Sequence, residues 1–204
     1  MSSIQAIVLD VGGVLVRLNF TTMVTALGLS PESTSHATMY RFDSLPNYDR
    51  FERGLSNIDE FREWITQTTG TSLSPEQFLM AWNSVFEGPV PGVTELLSKV
   101  KLPLYGLSNS TLPHIEHLRK TTSIFGSMKK LFTSYEMGVR KPEPEAYLRV
   151  SQAIGLEPQS ILFVDDREEN IQGARNVGMI AEPCLDSADA LRAIFLKHCP
   201  HALA

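Results

Sequence analysis

Five short apolar segments, separated by helical patterns, limit the fold of this chain more than any other feature of its sequence. They lie at residues 4–9, 104–107, 131–133, 161–164 and 179–181. Because they lack the alternation of a half-exposed strand, they are typical of strands buried on both faces of a parallel sheet. Segments with a helical apolar period, such as 93–100 and 146–154, accompany them. This alternation predicts an α/β fold with a doubly wound, Rossmann-like parallel sheet.

One long segment, residues 18–88, does not fit this alternation, because it contains helix signals and no convincing strand. Ser74 and Gln77 have the spacing of a capping box, with a proline in the first turn between them. Ser56 and Asp59 have the same spacing and predict a second helix start. We interpret residues 18–88 as an all-helical cap domain inserted into a core domain that comprises residues 1–17 and 89–204.

Polar residues stand where three of the predicted strands end. Asp10 follows the first strand, Ser108 and Asn109 follow the second, and Asp165 and Asp166 follow the fourth. Ligands of open parallel sheets bind at the carboxyl ends of the strands, so we expect these side chains to meet in one crevice. A sheet built for stability alone does not require acids at separate strand ends.

The residue types at these positions predict a phosphoryl-transfer site. Asp10 and Asp166 supply the hard oxygen ligands that Mg²⁺ prefers. Ser108 and Asn109 can donate hydrogen bonds to phosphate oxygens. Lys141, which we place at the start of the helix after the third strand, adds a positive charge facing the same anions.

Four sequence motifs in this order resemble those of the haloacid dehalogenase (HAD) superfamily. They read D-V-G-G-V-L at residues 10–15, L-S-N at 107–109, R-K-P-E at 140–143 and F-V-D-D at 163–166. The helical insert is similar to that family's helical-cap subclass. Within the subclass, the chain is most similar to glucose-1-phosphatase-type phosphatases and to the N-terminal phosphatase domain of soluble epoxide hydrolase. The tracts F-E-R-G at 51–54 and G-A-R-N-V-G-M at 173–179 add to this resemblance.

The resemblance implies a Mg²⁺-dependent phosphomonoester hydrolase acting on a small phosphorylated metabolite, such as a sugar phosphate. Asp10 would attack phosphorus and form an aspartyl-phosphate intermediate. Asp10, the carbonyl oxygen of Gly12 and Asp166 would hold Mg²⁺, with Asp165 acting directly or through water.

Other residues would bind the substrate. By the same resemblance, Ser108 and Asn109 would hold the phosphoryl group, and Lys141 would offset the charge between nucleophile and phosphate. Four residues of the insert are candidates to face the substrate: Phe42, Tyr48, Arg53 and Trp82.

The chain departs from the commonest family pattern at Gly12. Most family phosphatases carry there a second Asp, a general acid for the leaving oxygen, and such an acid contributes roughly 10²–10⁴ in rate. We therefore expect slow reaction of substrates with poor leaving groups. Two alternatives follow: a 2-haloacid dehalogenase, in which Arg41 of the insert would bind the halide, and a non-catalytic HAD-like binding protein.

Charge and composition argue against nucleic-acid and membrane partners. The net charge of −5 and the absence of a basic stripe argue against nucleic-acid binding. The apolar N-terminal stretch is interrupted by Asp10, so we expect neither a signal peptide nor a membrane span. Only Cys184 and Cys199 are cysteines, which favours two unpaired thiols in a cytoplasmic protein.

Overall fold

The computed structural model describes residues 3–29 and 45–203, so the candidates Arg41 and Phe42 lie outside the described residues. The described strands are β1 (Ala6–Leu9), β2 (Val16–Leu18), β3 (Phe86–Pro89), β4 (Leu104–Ser108), β5 (Met128–Thr133), β6 (Ile161–Asp165) and β7 (Ile180–Pro183). Five of them form one parallel sheet in the order β5-β4-β1-β6-β7. The predicted fold class is therefore confirmed.

Helices connect the strands. The α-helices are α1 (Phe20–Ala26), α2 (Pro46–Glu52), α3 (Ile58–Thr69), α4 (Pro75–Asn83), α5 (Val93–Ser98), α6 (Leu112–Thr121), α7 (Ser134–Met137), α8 (Pro144–Ile154), α9 (Glu168–Asn176) and α10 (Ala188–His198). Short 3₁₀ turns lie at Ile124–Ser127, Pro158–Ser160 and Pro200–Leu203. Within the described part of the chain, no helix has the length and apolarity that crossing a membrane requires.

The sheet is covered on both faces, because successive side chains of each strand point to opposite sides. In β1, Ile7 and Leu9 join the apolar cluster that includes residues of α5, α6 and α10, whereas Val8 joins the cluster that includes residues of α8 and α9. This double burial explains the uninterrupted apolar sequences of the strands. Cys184 and Cys199 are free and buried in the first cluster.

Helices α1 to α4 have an apolar core of their own, which contains Phe51, Phe61, Phe78 and Trp82. The expectation that residues 18–88 hold no strand is wrong at both ends of that segment. There β2 and β3 pair antiparallel, with Leu18 opposite Phe86. The pairing joins residues about 70 positions apart, and neither three- to four-residue strand has an apolar pattern that reveals it.

The helix starts in the insert were predicted with mixed success. The capping box of α4 is confirmed, since Ser74 and Gln77 exchange side-chain and backbone hydrogen bonds. The predicted start at Ser56 is wrong by one residue, because the side chain of Asn57 accepts from the backbone N–H of Glu60 at 3.0 Å and caps α3. Ser56 with Asp59 and Asn57 with Glu60 have the same spacing, so spacing alone does not show which pair begins the helix.

Candidate active site

The sheet order brings the predicted site residues to one edge. The central strand β1 lies between β4 and β6, so the ends that carry Asp10, Ser108 and Asp165 are adjacent. The backbone N–H of Asp10 donates to Val164 O at 2.8 Å, which extends the β1–β6 ladder to the acid itself. The backbone that carries Asp10 is therefore held by the sheet rather than by a loop.

Three carboxylates meet at this edge. Asp10, Asp165 and Asp166 each place one oxygen within 4.8 Å of the others. Burial and the neighbouring charge of Asp165 raise the pKa of Asp10 well above its ordinary value. The same two causes, burial first, raise the pKa of Asp166 to about 6. Like charges this close disfavour joint ionisation, so the cluster requires positive charge nearby.

The Lys141 ammonium supplies part of that charge. It is 1% exposed and lies 2.8 Å from Asp10 Oδ1 and 2.6 Å from Asp165 Oδ2. Burial acts to lower the pKa of Lys141, but the charges of Asp10 and Asp165 raise it above its ordinary value. Lys141 lies in the loop before α8, which begins at Pro144, rather than at the start of that helix as predicted.

Asp165 is fully occupied by protein partners. Its Oδ1 accepts from the Arg167 backbone N–H and from Asn170 Nδ2, both at 2.9 Å, and its Oδ2 pairs with Lys141. Burial acts to raise the pKa of Asp165, but Lys141 and these donors lower it below its ordinary value. An ionised Asp165 thus orients Lys141, and the carboxylates of Asp10 and Asp166 remain better placed to accept a cation. The sequence reasoning missed Asn170; its signal is an amide five residues after the acid.

Asn109 lies at the site, but its side chain is engaged with the protein. Its Nδ2 donates to Lys141 O at 2.8 Å, and its Oδ1 accepts from the Lys141 backbone N–H at 2.9 Å. The amide therefore fixes the backbone that carries Lys141, a role that the sequence did not indicate. The Ser108 side chain is buried at the end of β4, and among the described residues its hydroxyl has no hydrogen-bond partner.

The two glycines after Asp10 differ in what they require. Gly13 has φ 73°, and a Cβ there would lie 2.5 Å from Asp166 Oδ2, so this position admits only glycine. Gly12 does not have positive φ, and a Cβ there would meet the end of the Leu18 side chain at 2.7 Å. An apolar, rotatable group thus packs where a side chain at residue 12 would begin.

The structure does not support the substrate-facing assignment of Trp82, because Trp82 is 1% exposed in the core of the insert. Its Nε1 donates to Thr111 Oγ1 at 3.2 Å. Tyr48 is half-buried and donates its hydroxyl hydrogen to Glu52 Oε1 at 2.9 Å. Arg53 pairs with Asp49 at 2.9 Å and with Glu143, the residue before α8.

Comparisons with known proteins give consistent results. A family model described as haloacid dehalogenase-like hydrolase matches residues 4–178. D-ribitol-5-phosphate phosphatase of Bacteroides thetaiotaomicron is 27% identical over 186 residues, which cover 86% of this chain and 89% of the relative. Sesquiterpene phosphatase astK of Aspergillus oryzae is 26% identical over 191 residues, which cover 91% of this chain and 92% of the relative.

A solved structure is similar over most of both chains. It is a wild-type HAD family enzyme of Bacteroides thetaiotaomicron in complex with magnesium and inorganic phosphate. The TM-score is 0.75 and the identity is 28%, with 89% of this chain and 94% of that chain covered.

Proposed function

This chain belongs to the haloacid dehalogenase-like hydrolases, and on that premise we propose that it is a Mg²⁺-dependent phosphatase. It would hydrolyse a small phosphorylated metabolite through a phosphorylated Asp10. The observation that carries the proposal is the cluster at the sheet edge: three carboxylates with oxygens within 4.8 Å of one another, next to one buried ammonium. The relatives named as phosphatases over most of the chain support the same reaction class.

The donor set fits Mg²⁺. The candidate ligands are all oxygens, which is the chemistry that this ion prefers, and one lysine cannot neutralise three carboxylates. Asp10 and Asp166 would hold the ion, together with the carbonyl oxygen of Gly12. When bound, the ion would neutralise negative charge on the carboxylates and on the phosphoryl oxygens. A similar enzyme in complex with magnesium and inorganic phosphate supports Mg²⁺ as the ion.

The chemistry would proceed in two displacements at phosphorus. Asp10 Oδ1 is held by two donors, the Val11 backbone N–H at 2.7 Å and Lys141 Nζ at 2.8 Å, so the carboxylate has a fixed orientation. Asp10 forms a bond to phosphorus while the bond to the leaving oxygen breaks. Water then attacks phosphorus, releases inorganic phosphate and regenerates Asp10. Ser108 would donate a hydrogen bond to the phosphoryl group in both steps.

Gly12 narrows the substrate class. Since residue 12 carries no acid, the leaving oxygen must depart with more of its own negative charge. Anomeric sugar phosphates, acyl phosphates and aryl phosphates tolerate this charge better than simple alkyl phosphates do. We therefore place the physiological substrate among phosphorylated metabolites with such a leaving group.

Phosphate release from a panel of phosphorylated metabolites and p-nitrophenyl phosphate tests this function. We expect turnover with Mg²⁺, loss of turnover with EDTA, and recovery when Mg²⁺ is restored. The same protein is assayed for chloride release from 2-chloropropionate. Chloride release that persists in EDTA, without phosphate release, would identify a dehalogenase. Phosphate binding without turnover of any substrate would identify a binding protein.

A further inference from the structure

Five charged residues join the helical insert to the loop before α8; we refer to them as the junction cluster. They are Asp49, Glu52, Arg53, Arg140 and Glu143. Arg140 Nε lies 2.9 Å from Glu52 Oε2, and its Nη1 lies 3.4 Å from Asp49 Oδ1. Arg53 pairs with Asp49 at 2.9 Å and with both carboxylate oxygens of Glu143, one of them at 3.1 Å. Insert and loop are thus linked by charges of both signs from each side.

The central pair of this cluster is buried. Glu52 is 2% exposed and Arg140 is 8% exposed, whereas Asp49 and Glu143 are partly open to solvent. A buried pair loses the hydration of both ions, so its presence is poorly explained by stability alone. Helix α2 also lies close to the core, because a Cβ at Gly54, just after α2, would lie 2.4 Å from Tyr135 O. Helix α2 therefore has little freedom to shift against the core.

The junction cluster is adjacent to Lys141 in the sequence, because Arg140 directly precedes it. Lys141 places its ammonium between Asp10 and Asp165. Its own peptide groups are held from the core side by Asn109. From the insert side, Arg140 is held by Glu52, so the loop is fixed from both directions. A displacement of the Arg140 side chain would be passed to the backbone of Lys141.

We propose that Glu52 and Arg140 are positioning residues for Lys141, through which the seating of α2 sets the geometry at the nucleophile. This inference rests on the phosphatase function proposed above, in which Lys141 holds Asp10 in a fixed orientation. Glu52 contacts Arg140 rather than the reacting atoms, so its effect is on placement. The insert would thus act on the chemical step.

The test is a double-mutant cycle on the intact chain with Glu52→Gln, Arg140→Met and the double variant. Arg50→Gln is the matched control, because Arg50 lies on the same helix and, within residues 3–29 and 45–203, its side chain hydrogen-bonds only to Leu55 O, at 3.3 Å. The readouts are kcat and KM for p-nitrophenyl phosphate with Mg²⁺, the thermal midpoint, and the crystallographic distance from Lys141 Nζ to Asp10 Oδ1.

We expect each single variant to lower kcat roughly 10- to 100-fold, the usual effect of residues that orient a catalytic group, with KM changed less than threefold. The double variant leaves no buried charge unpaired, so its thermal midpoint should recover toward wild type. Its kcat should stay as low as in the single variants, because Lys141 is still unrestrained. Arg50→Gln should keep kcat within twofold.

Two kinetic results would overturn the inference: folded single variants with kcat within twofold of wild type, or a double variant in which kcat recovers together with stability. If the single variants do not fold, the double variant and Asp49→Asn, which removes a half-exposed partner of Arg140, decide by the same kcat criterion. If wild type lacks phosphatase activity, the proposed function fails and the crystal structures decide. Lys141 Nζ displaced from Asp10 in the double variant supports positioning, and an unchanged distance refutes it.

Discussion

Buried charge governs the site at the scale of single residues. Lys141 offsets two of the carboxylates, and Asp166, whose pKa is raised to about 6, is the third. The acids at the strand ends could be predicted from sequence, because each directly follows an apolar segment. The contact of Asn109 with the Lys141 backbone could not, because it joins residues far apart in the sequence. The ion pair of Glu52 with Arg140 could not either, for the same reason. Asn170 lies only five residues after Asp165, so its contact is local.

Mg²⁺ binding should weaken at low pH. A ligand carboxylate must be deprotonated, and the pKa of Asp166 is about 6 in the metal-free protein. As pH falls below that value, protons compete with the ion, so affinity decreases. At pH 5 we expect the dissociation constant to be at least about tenfold above its value at pH 7.5, since one pH unit is a factor of ten in protonation.

Isothermal titration calorimetry with MgCl₂ at the two pH values measures this. Asp166→Asn is the control: its affinity should be low at both pH values. Equal affinity for wild type at pH 5 and pH 7.5 would show that no raised carboxylate pKa is coupled to the ion.

Restoring an acid at Gly12 should change the preference for leaving groups. The backbone at Gly12 accepts a side chain, and the obstacle to it is the end of Leu18. Gly12→Asp, alone and with Leu18→Ala to make room, should raise turnover of a simple alkyl phosphate more than that of p-nitrophenyl phosphate. We expect the ratio to change by about 10- to 100-fold.

Turnover of both substrates by wild type and by the folded variants measures the ratio. If wild type hydrolyses both at equal rates when chemistry limits turnover, another group supplies the proton and the significance assigned to Gly12 is wrong.

At the scale of secondary-structure elements, the sequence predicts those strands and helices whose burial leaves a local apolar pattern. Strands β1 and β6 could be predicted because both of their faces are buried, which leaves β1, and β6 up to its last residue Asp165, apolar. The β2–β3 pair could not be predicted from the sequence, because the residues of β3 alternate in exposure over only four positions, two of them Gly and Pro. The start of α3 could not be placed uniquely either, because Ser56 and Asn57 each precede an acid by three residues.

The docking of α2 against the core can be tested at Gly54. Gly54 and Gly70 have nearly the same φ, 70° and 71°, but only Gly54 faces a backbone atom, the Tyr135 carbonyl oxygen. Gly70→Ala should cost about 1 kcal/mol from backbone strain. Gly54→Ala should cost roughly 1–3 kcal/mol more, because a carbonyl oxygen cannot rotate away. Urea unfolding of both variants measures the difference, and equal destabilisation would show that α2 is not held against Tyr135.

At the scale of the whole molecule, side-chain contacts link the parallel sheet, the loop before α8 and the insert. The parallel sheet places the acids, Lys141 reaches them from the loop before α8, and the insert holds that loop through Arg140. The motif at residues 140–143 and the tract at residues 51–54, which both carry the family resemblance, are in contact in this arrangement. The reaction proposed for the chain depends most on one residue of this assembly, Asp10.

The most direct test of the account is hydrolysis of p-nitrophenyl phosphate with Mg²⁺ by wild type and by Asp10→Asn. The amide is a poor nucleophile and a neutral metal ligand, so both proposed roles of Asp10 fail together. We expect turnover to fall at least ~10³-fold, as it does when other nucleophiles are removed, while circular dichroism shows a folded protein. Turnover near the wild-type rate by folded Asp10→Asn would contradict covalent catalysis at Asp10.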